Sequence, residues 1–192
     1  MSGFFPFYLR WSFNSIDVFS YGGYLGAVQG VGYVNELIAR LTGQPVRDNT
    51  QTNRTLDSSP ETFPLDRTFY ADFSHDNEMI AIYSALGLFQ QHLLPGQKLD
   101  PKNPSPLRTW IASKLVPFSA RMVVERLECF EVPDLPLPKG AFIRIFVNDA
   151  IQPLEFCGGV GGLCELHAFM ESQWYARHDG DGDFQKCYDK AL

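Results

Sequence analysis

The chain has 192 residues, with 16 Lys and Arg against 22 Asp and Glu, a formal net charge of −6. That deficit of cations argues against a nucleic-acid binder, which needs a basic face for phosphates. Hydrophobic residues at 45% and aromatic residues at 14% exclude disorder throughout and supply a sizeable core.

Met1 to Phe13 reads MSGFFPFYLRWSF. Arg10 and Trp11 follow the apolar part and Pro6 interrupts it, the reverse of a secretory leader's order. Residues 1–25 therefore read as an atypical start, a truncation or gene-model artefact rather than a working signal, with a buried strand as a third option. Gly22, Gly23, Gly26, Gly30 and Gly32 read as a flexible lead-in. Val34, Leu37, Ile38 and Leu41 then fall at helical spacing, and Gly43 with Pro45 ends the helix. Residues 44–66 are polar and Pro-bearing, a surface loop. Thr68–Phe73 is a strand candidate. Asn77–Phe89 reads as a buried helix, with Met79, Ile82 and Leu86 on one face. Residues 95–106 hold four prolines and read as a loop. Three strands follow at Met122–Phe130, Ala141–Val147 and Ile151–Phe156, the last two joined by an Asn148-Asp149 turn. Leu166–Tyr175 is the final helix. Mixed strands and helices without a repeat place the chain in the α/β class, and no linker divides it. No apolar run reaches the roughly 18–20 residues of a membrane helix.

The chemistry concentrates in residues 70–77, YADFSHDN. An apolar strand candidate stops, and His75 and Asp76 follow just before a helix. The C-terminal edge of a strand in an α/β sheet faces the usual ligand crevice. A helix N-terminus adds free N–H groups and partial positive charge, suited to an anion such as phosphate. There a His can hydrogen-bond phosphate oxygens, and an Asp can protonate a leaving alkoxide at acid pH. The spacing equally allows Asp76 to be a helix cap and His75 a partly exposed polar residue.

GVGYVNELIARLTGQPV, TNRTLDSSPETFPL, YADFSHDN and VPFSARMVVERLEC, in this order and spacing, closely resemble the fungal phytases of the histidine acid phosphatase family. FVNDAIQPL and the Cys157–Cys164 loop extend the resemblance over roughly Gly26 to Cys187. The resemblance implies a phosphoglycerate mutase-like α/β domain. It implies hydrolysis of phosphate monoesters at acid pH, phytate foremost, through a phosphohistidine. It assigns His75 to phosphate binding, Asp76 to proton donation and Asn77 to a substrate contact. It implies a Cys157–Cys164 disulfide and leaves Cys129 and Cys187 without family partners inside this chain. It also implies secretion, with Asn53-Arg54-Thr55 as a glycosylation acceptor. No cofactor and no metal are called for. The partner is a small-molecule phosphate ester, with no nucleic acid and no membrane.

One departure is decisive. The family's nucleophilic His lies in an Arg-His-Gly-x-Arg motif, and these 192 residues contain none. Residues 26–192 read as the C-terminal part of the domain, inactive alone. The alternative is a non-catalytic remnant with a binding role or none. Arg177-His178-Asp179-Gly180 imitates the motif but reads as a solvated loop. His92 and His167 lack a partner pattern. Gly30-x-Gly32 lacks the third glycine of a dinucleotide fingerprint, and Asp179-Gly-Asp-Gly-Asp183 lacks the later positions of a calcium loop.

Overall fold

The computed structural model describes residues 25–90, 108–131, 139–186 and 188. The atypical start, the Pro-rich loop at 95–106, His92 and Cys187 lie outside the described residues. In chain order the helical elements are a 3-10 turn at Ala27–Gly30, α1 (Val31–Thr42), α2 (Arg54–Asp57), α3 (Asp76–Leu86) and α4 (Ala112–Leu115). Strands β1 (Met122–Cys129), β2 (Gly140–Val147), β3 (Ala150–Ile151) and β4 (Cys164–Glu165) follow, then α5 (Leu166–Ser172), α6 (Trp174–Arg177) and α7 (Asp183–Lys186). The chain forms two compact units, Met1–Pro117 with Tyr175–Leu192, and Phe118–Trp174.

The first unit is helical. α1 buries Val31, Val34, Leu37 and Leu41, the periodic positions that predict it, while Ile38 is half-buried. Gly43 stops it in a left-handed conformation, φ 67°, its N–H donating to the Ala39 carbonyl at 2.8 Å. α3 is buried from Ile80 to Leu86 without interruption. It ends in a Schellman pattern: Gly87 at φ 80° donates to the Ser84 carbonyl, and the Leu88 N–H to that of Tyr83.

The glycine-rich lead-in is no flexible segment where the structure describes it. Its 3-10 turn packs directly on α3, with Val28 fully buried. A Cβ on Gly30 would stand 2.5 Å from the Ala81 carbonyl oxygen, so backbone meets backbone there. Arg177 and His178 are exposed, as a solvated loop requires, and Asp179 anchors the stretch. Asp179 accepts from the Asn49 backbone N–H and side-chain amide at 2.9 and 2.8 Å, and Asn35 donates to the Ala176 carbonyl at 2.9 Å.

The second unit is a four-stranded antiparallel sheet with β2 bonded to β1, β3 and β4. Ile143, Ile145 and Val147 alternate into its core beside Phe169 and Leu154. Asn148 and Asp149 form the predicted turn, both with positive φ (49° and 67°), as a two-residue hairpin of the type I′ kind requires. Arg121 braces it, its backbone N–H donating to Asn148 Oδ1 at 3.1 Å and its guanidinium pairing with Asp149. Cys157 and Cys164 form a disulfide, and Cys129 carries a free thiol.

Three expected elements change. Ile151–Phe156 is a strand only at Ala150–Ile151, because Pro153 has no N–H for a ladder and Leu154 turns left-handed at φ 53°. The last helix breaks at Gln173, giving α5 and α6. Thr68–Phe73 is no strand: residues 64–74 make no backbone–backbone hydrogen bond among the described residues. Its β-favouring composition is not enough without a ladder partner, and Phe73 stands 99% exposed. Helices with a sheet keep the chain in the α/β class, but the crevice expected beyond that strand is not formed by the described residues.

The contact at Gly30 makes a test. Gly30→Ala forces backbone apart and should cost about 2–3 kcal/mol of unfolding free energy, at the upper end of overpacking effects. Gly43→Ala meets nothing within 4 Å and should cost only the roughly 1–2 kcal/mol of a left-handed residue. Urea unfolding of both variants measures the difference; because Gly30 sits at φ −94°, open to any residue, a Gly30→Ala cost no greater than that of Gly43→Ala would remove the backbone contact as a tight constraint.

Candidate active site

The candidate residues stand at the N-terminal end of α3. His75 takes the cap position in an extended conformation, φ −117° and ψ 162°, and its carbonyl accepts the Met79 N–H at 3.0 Å. Its imidazole makes no cap hydrogen bond, which leaves the ring to solvent. Asp76 is the first helical residue, not the cap. Its Oδ1 accepts from the Asn77 N–H at 2.9 Å, and the side chain is exposed. Asn77 is half-buried, and its Oδ1 is buried without a hydrogen-bond partner in the structure. Ring, carboxyl and amide therefore share one helix end, where the peptide dipoles favour negative charge.

Glu78 joins them in the first turn. Burial pushes its carboxyl above the usual range, and His75 pulls it back only partly. The sequence gives no hint of this, since Glu in a first helical turn is common.

The segment leading to His75 is held by side chains. Arg40, near the end of α1, pairs with Asp72 at 2.5 Å. Tyr33, seven residues earlier on the same face, donates to the same Asp72 oxygen at 3.5 Å. The Arg40 guanidinium also lies over the rings of Phe63 (4.9 Å) and Tyr70 (5.1 Å). Burial and the nearby Asp72 push the Tyr33 hydroxyl up to about 12. Glu36, between Tyr33 and Arg40 on that face, is raised by burial and by the Asp57 charge. None of these residues stands out in the sequence, because Asp72 lies 32 positions from its arginine.

Asp48 organises the loop after α1. It is 6% exposed, and its carboxylate accepts from Asn35, from the Thr50 and Thr52 hydroxyls, and from the backbone N–H groups of Thr50, Gln51 and Thr52. Beside it an open cavity of about 460 Å³ is lined by Arg47, Arg54 and Arg177 with Asp57 and Asp179, and it includes neither His75 nor Asp76. Asn53 is exposed and caps α2, its Oδ1 accepting from Thr55 and Leu56 N–H at 3.1 and 3.4 Å. Of the other histidines, His178 is exposed on the Asp179 turn, and His167 lies in the second unit, on α5.

Residues 7–148 match the histidine phosphatase superfamily (branch 2). The chain belongs to that superfamily. It is 43% identical over 165 residues to a protein named Phytase A from Arthroderma benhamiae, covering 84% of this chain and 35% of the relative. The Emericella nidulans Phytase A is 43% identical over 168 residues, 87% of this chain and 34% of that protein. The Aspergillus awamori Phytase A is 44% identical over 161 residues, 83% and 33% respectively. The chain thus spans about a third of the length of the curated relatives it matches.

Asp48 sets a pH signature on this superfamily member. Burial alone raises a carboxyl, but the Asn35, Thr52 and Thr50 hydrogen bonds outweigh it and hold Asp48 below the usual carboxylate range. A depressed folded-state value contributes stability above the unfolded value of about 3.9, lost as pH falls below it. Asp48→Asn turns an amide toward several N–H donors and should cost about 2–3 kcal/mol near pH 6. Chemical denaturation across pH should show that gap narrowing below roughly pH 4. A gap constant with pH would remove the charge from the explanation.

Proposed function

We propose that this chain carries the phosphate-binding and proton-donating half of a phosphomonoester hydrolase that acts at acid pH, with inositol phosphates such as phytate as substrates. The observation that carries the reading is the pairing of an uncapped, exposed His75 with an exposed Asp76 at the N-terminus of α3. His75 donates a hydrogen bond to a phosphate oxygen, and the helix end adds its N–H groups. Asp76, protonated at acid pH, hands its proton to the departing alcohol oxygen as the P–O bond breaks. Asn77 contributes a substrate contact at the same end. The relatives' shared name, Phytase A, supports the substrate class.

The covalent step needs the family's Arg-His-Gly-x-Arg histidine, which these residues do not include. The chain alone therefore turns over no phosphate ester, and its catalytic assay is made on the chain completed with that upstream half. Secretion fits the same reading, with sugar on Asn53. The exposed Asn53 side chain caps α2 through its oxygen, leaving its nitrogen for the glycan. Expressed through a secretory pathway, Asn53→Asp should lose the sugar yet keep the cap. Asn53→Ala should lose the sugar and about 1 kcal/mol besides, and mass spectrometry with thermal unfolding reads both.

Asp76→Asn keeps the side chain's size and its acceptor oxygen toward the Asn77 N–H. In the completed enzyme it should lower turnover of inositol phosphates by about 10²–10⁴-fold. p-Nitrophenyl phosphate, whose leaving oxygen needs no proton, should lose far less. His75→Ala should weaken both substrates alike through lost phosphate binding. Equal losses on both ester types for Asp76→Asn would make that residue a structural one.

A further inference from the structure

We propose that Arg40 is a positioning residue for the His75–Asp76 pair, a role that rests on the phosphate-handling reading of that pair. Residues 64–74 link Phe63 to α3 without a backbone–backbone hydrogen bond among the described residues. Neither a ladder nor a helix fixes their path, so side chains must. Among the described residues, Asp72, three residues before His75, has its polar ties to α1 alone, through Arg40 and Tyr33. The Arg40 guanidinium also lies over Phe63, where the segment begins, and over Tyr70, near its end. One planar cation thus grips the start and the finish of the segment that delivers the histidine.

The grip is anchored on both sides. Phe63 is buried, and its N–H donates to the Ser59 carbonyl at 2.8 Å. α1 follows directly from the 3-10 turn that meets α3 at Gly30. Three residues of chain reach at most about 10 Å, so fixing Asp72 bounds where the His75 backbone can go. The Arg40 side chain is 15% exposed and the Asp72 side chain 40%, so the pair is partly shielded from competing water. A lysine would keep the charge but not the flat face that lies over two rings.

Backbone ¹⁵N relaxation and a titration with inorganic phosphate, followed at the His75 ring signals of the 192-residue chain, test the role. In the wild type, order parameters of Ser74 to Asn77 should be near 0.85, the rigid-backbone value, and in Arg40→Ala below about 0.6. Amides of Ala81 to Leu86 should not change. Phosphate affinity at His75 should fall roughly tenfold or more as the site loses its geometry, and Arg40→Lys should recover part of both losses. Unchanged order and affinity in a folded Arg40→Ala would overturn the proposal. A loss of order that extends through Ala81 to Leu86 would overturn it too, by making Arg40 a general structural prop. If Arg40→Ala does not fold, Asp72→Asn decides: loosened Ser74–Asn77 amides support the grip, and unchanged ones refute it. If phosphate leaves the wild-type His75 signals unmoved, the phosphate reading fails, and the positioning is judged on the order parameters alone.

Discussion

Helix α3 is buried on every side from Ile80 to Leu86, so chemistry can be displayed only at its N-terminal end. That burial rests on a backbone contact. Gly30 brings the 3-10 turn so close to Ala81 and Ile82 that no side chain fits between. A helix packed through side chains can slide by an ångström as rotamers change. One packed main chain to main chain has much less freedom. The glycine therefore fixes the axis along which His75, Asp76 and Asn77 are presented, from 45 positions away in sequence.

The approach to that helix end is built on a different principle. Interior helices and ladders hold themselves by backbone hydrogen bonds, whereas residues 64–74 have none among the described residues. Arg40 substitutes for them with two ring faces and one carboxylate. Asp48 works the same way in the preceding loop, where one carboxylate gathers three backbone N–H groups. Both are charged groups used as structural centres, and both reach irregular backbone that propensity alone leaves undetermined. Burial costs each of them, and each recovers the cost by multiple partners rather than by a single ion pair.

These two modes explain what the sequence made legible. α1, α3, β1, β2 and the Asn148-Asp149 hairpin follow from periodicity and turn chemistry, which are local. The YADFSHDN segment was legible as a candidate site through residue types and resemblance, and the His75–Asp76 pair does sit at a helix N-terminus. Its local structure was not legible. Thr68–Phe73 carries strand-forming residues, yet strand formation depends on a partner that composition cannot name. The contacts of Arg40 were not legible, because its ring and carboxylate partners lie between 23 and 32 residues on. Gly30 looked flexible, because a glycine needed for close approach and one needed for freedom are spelled alike.

Charge offers a last link between the fold and the acid chemistry proposed for it. The formal charge of −6 counts the histidines as neutral, and protonating all four lifts it to −2. A strongly anionic ester is repelled by the first state far more than by the second. The proposed contacts are also served by acid, since a protonated His75 donates from both ring nitrogens and Asp76 must hold a proton to give one away. Against this, acid removes carboxylate-based stability, and Asp48 is where that loss would be felt in the loop after α1. Its depressed value delays that loss to lower pH than an ordinary carboxylate would allow. The acidity proposed for the helix end is thus tolerated by the loop after α1, because Asp48 keeps its charge to lower pH than an ordinary carboxylate.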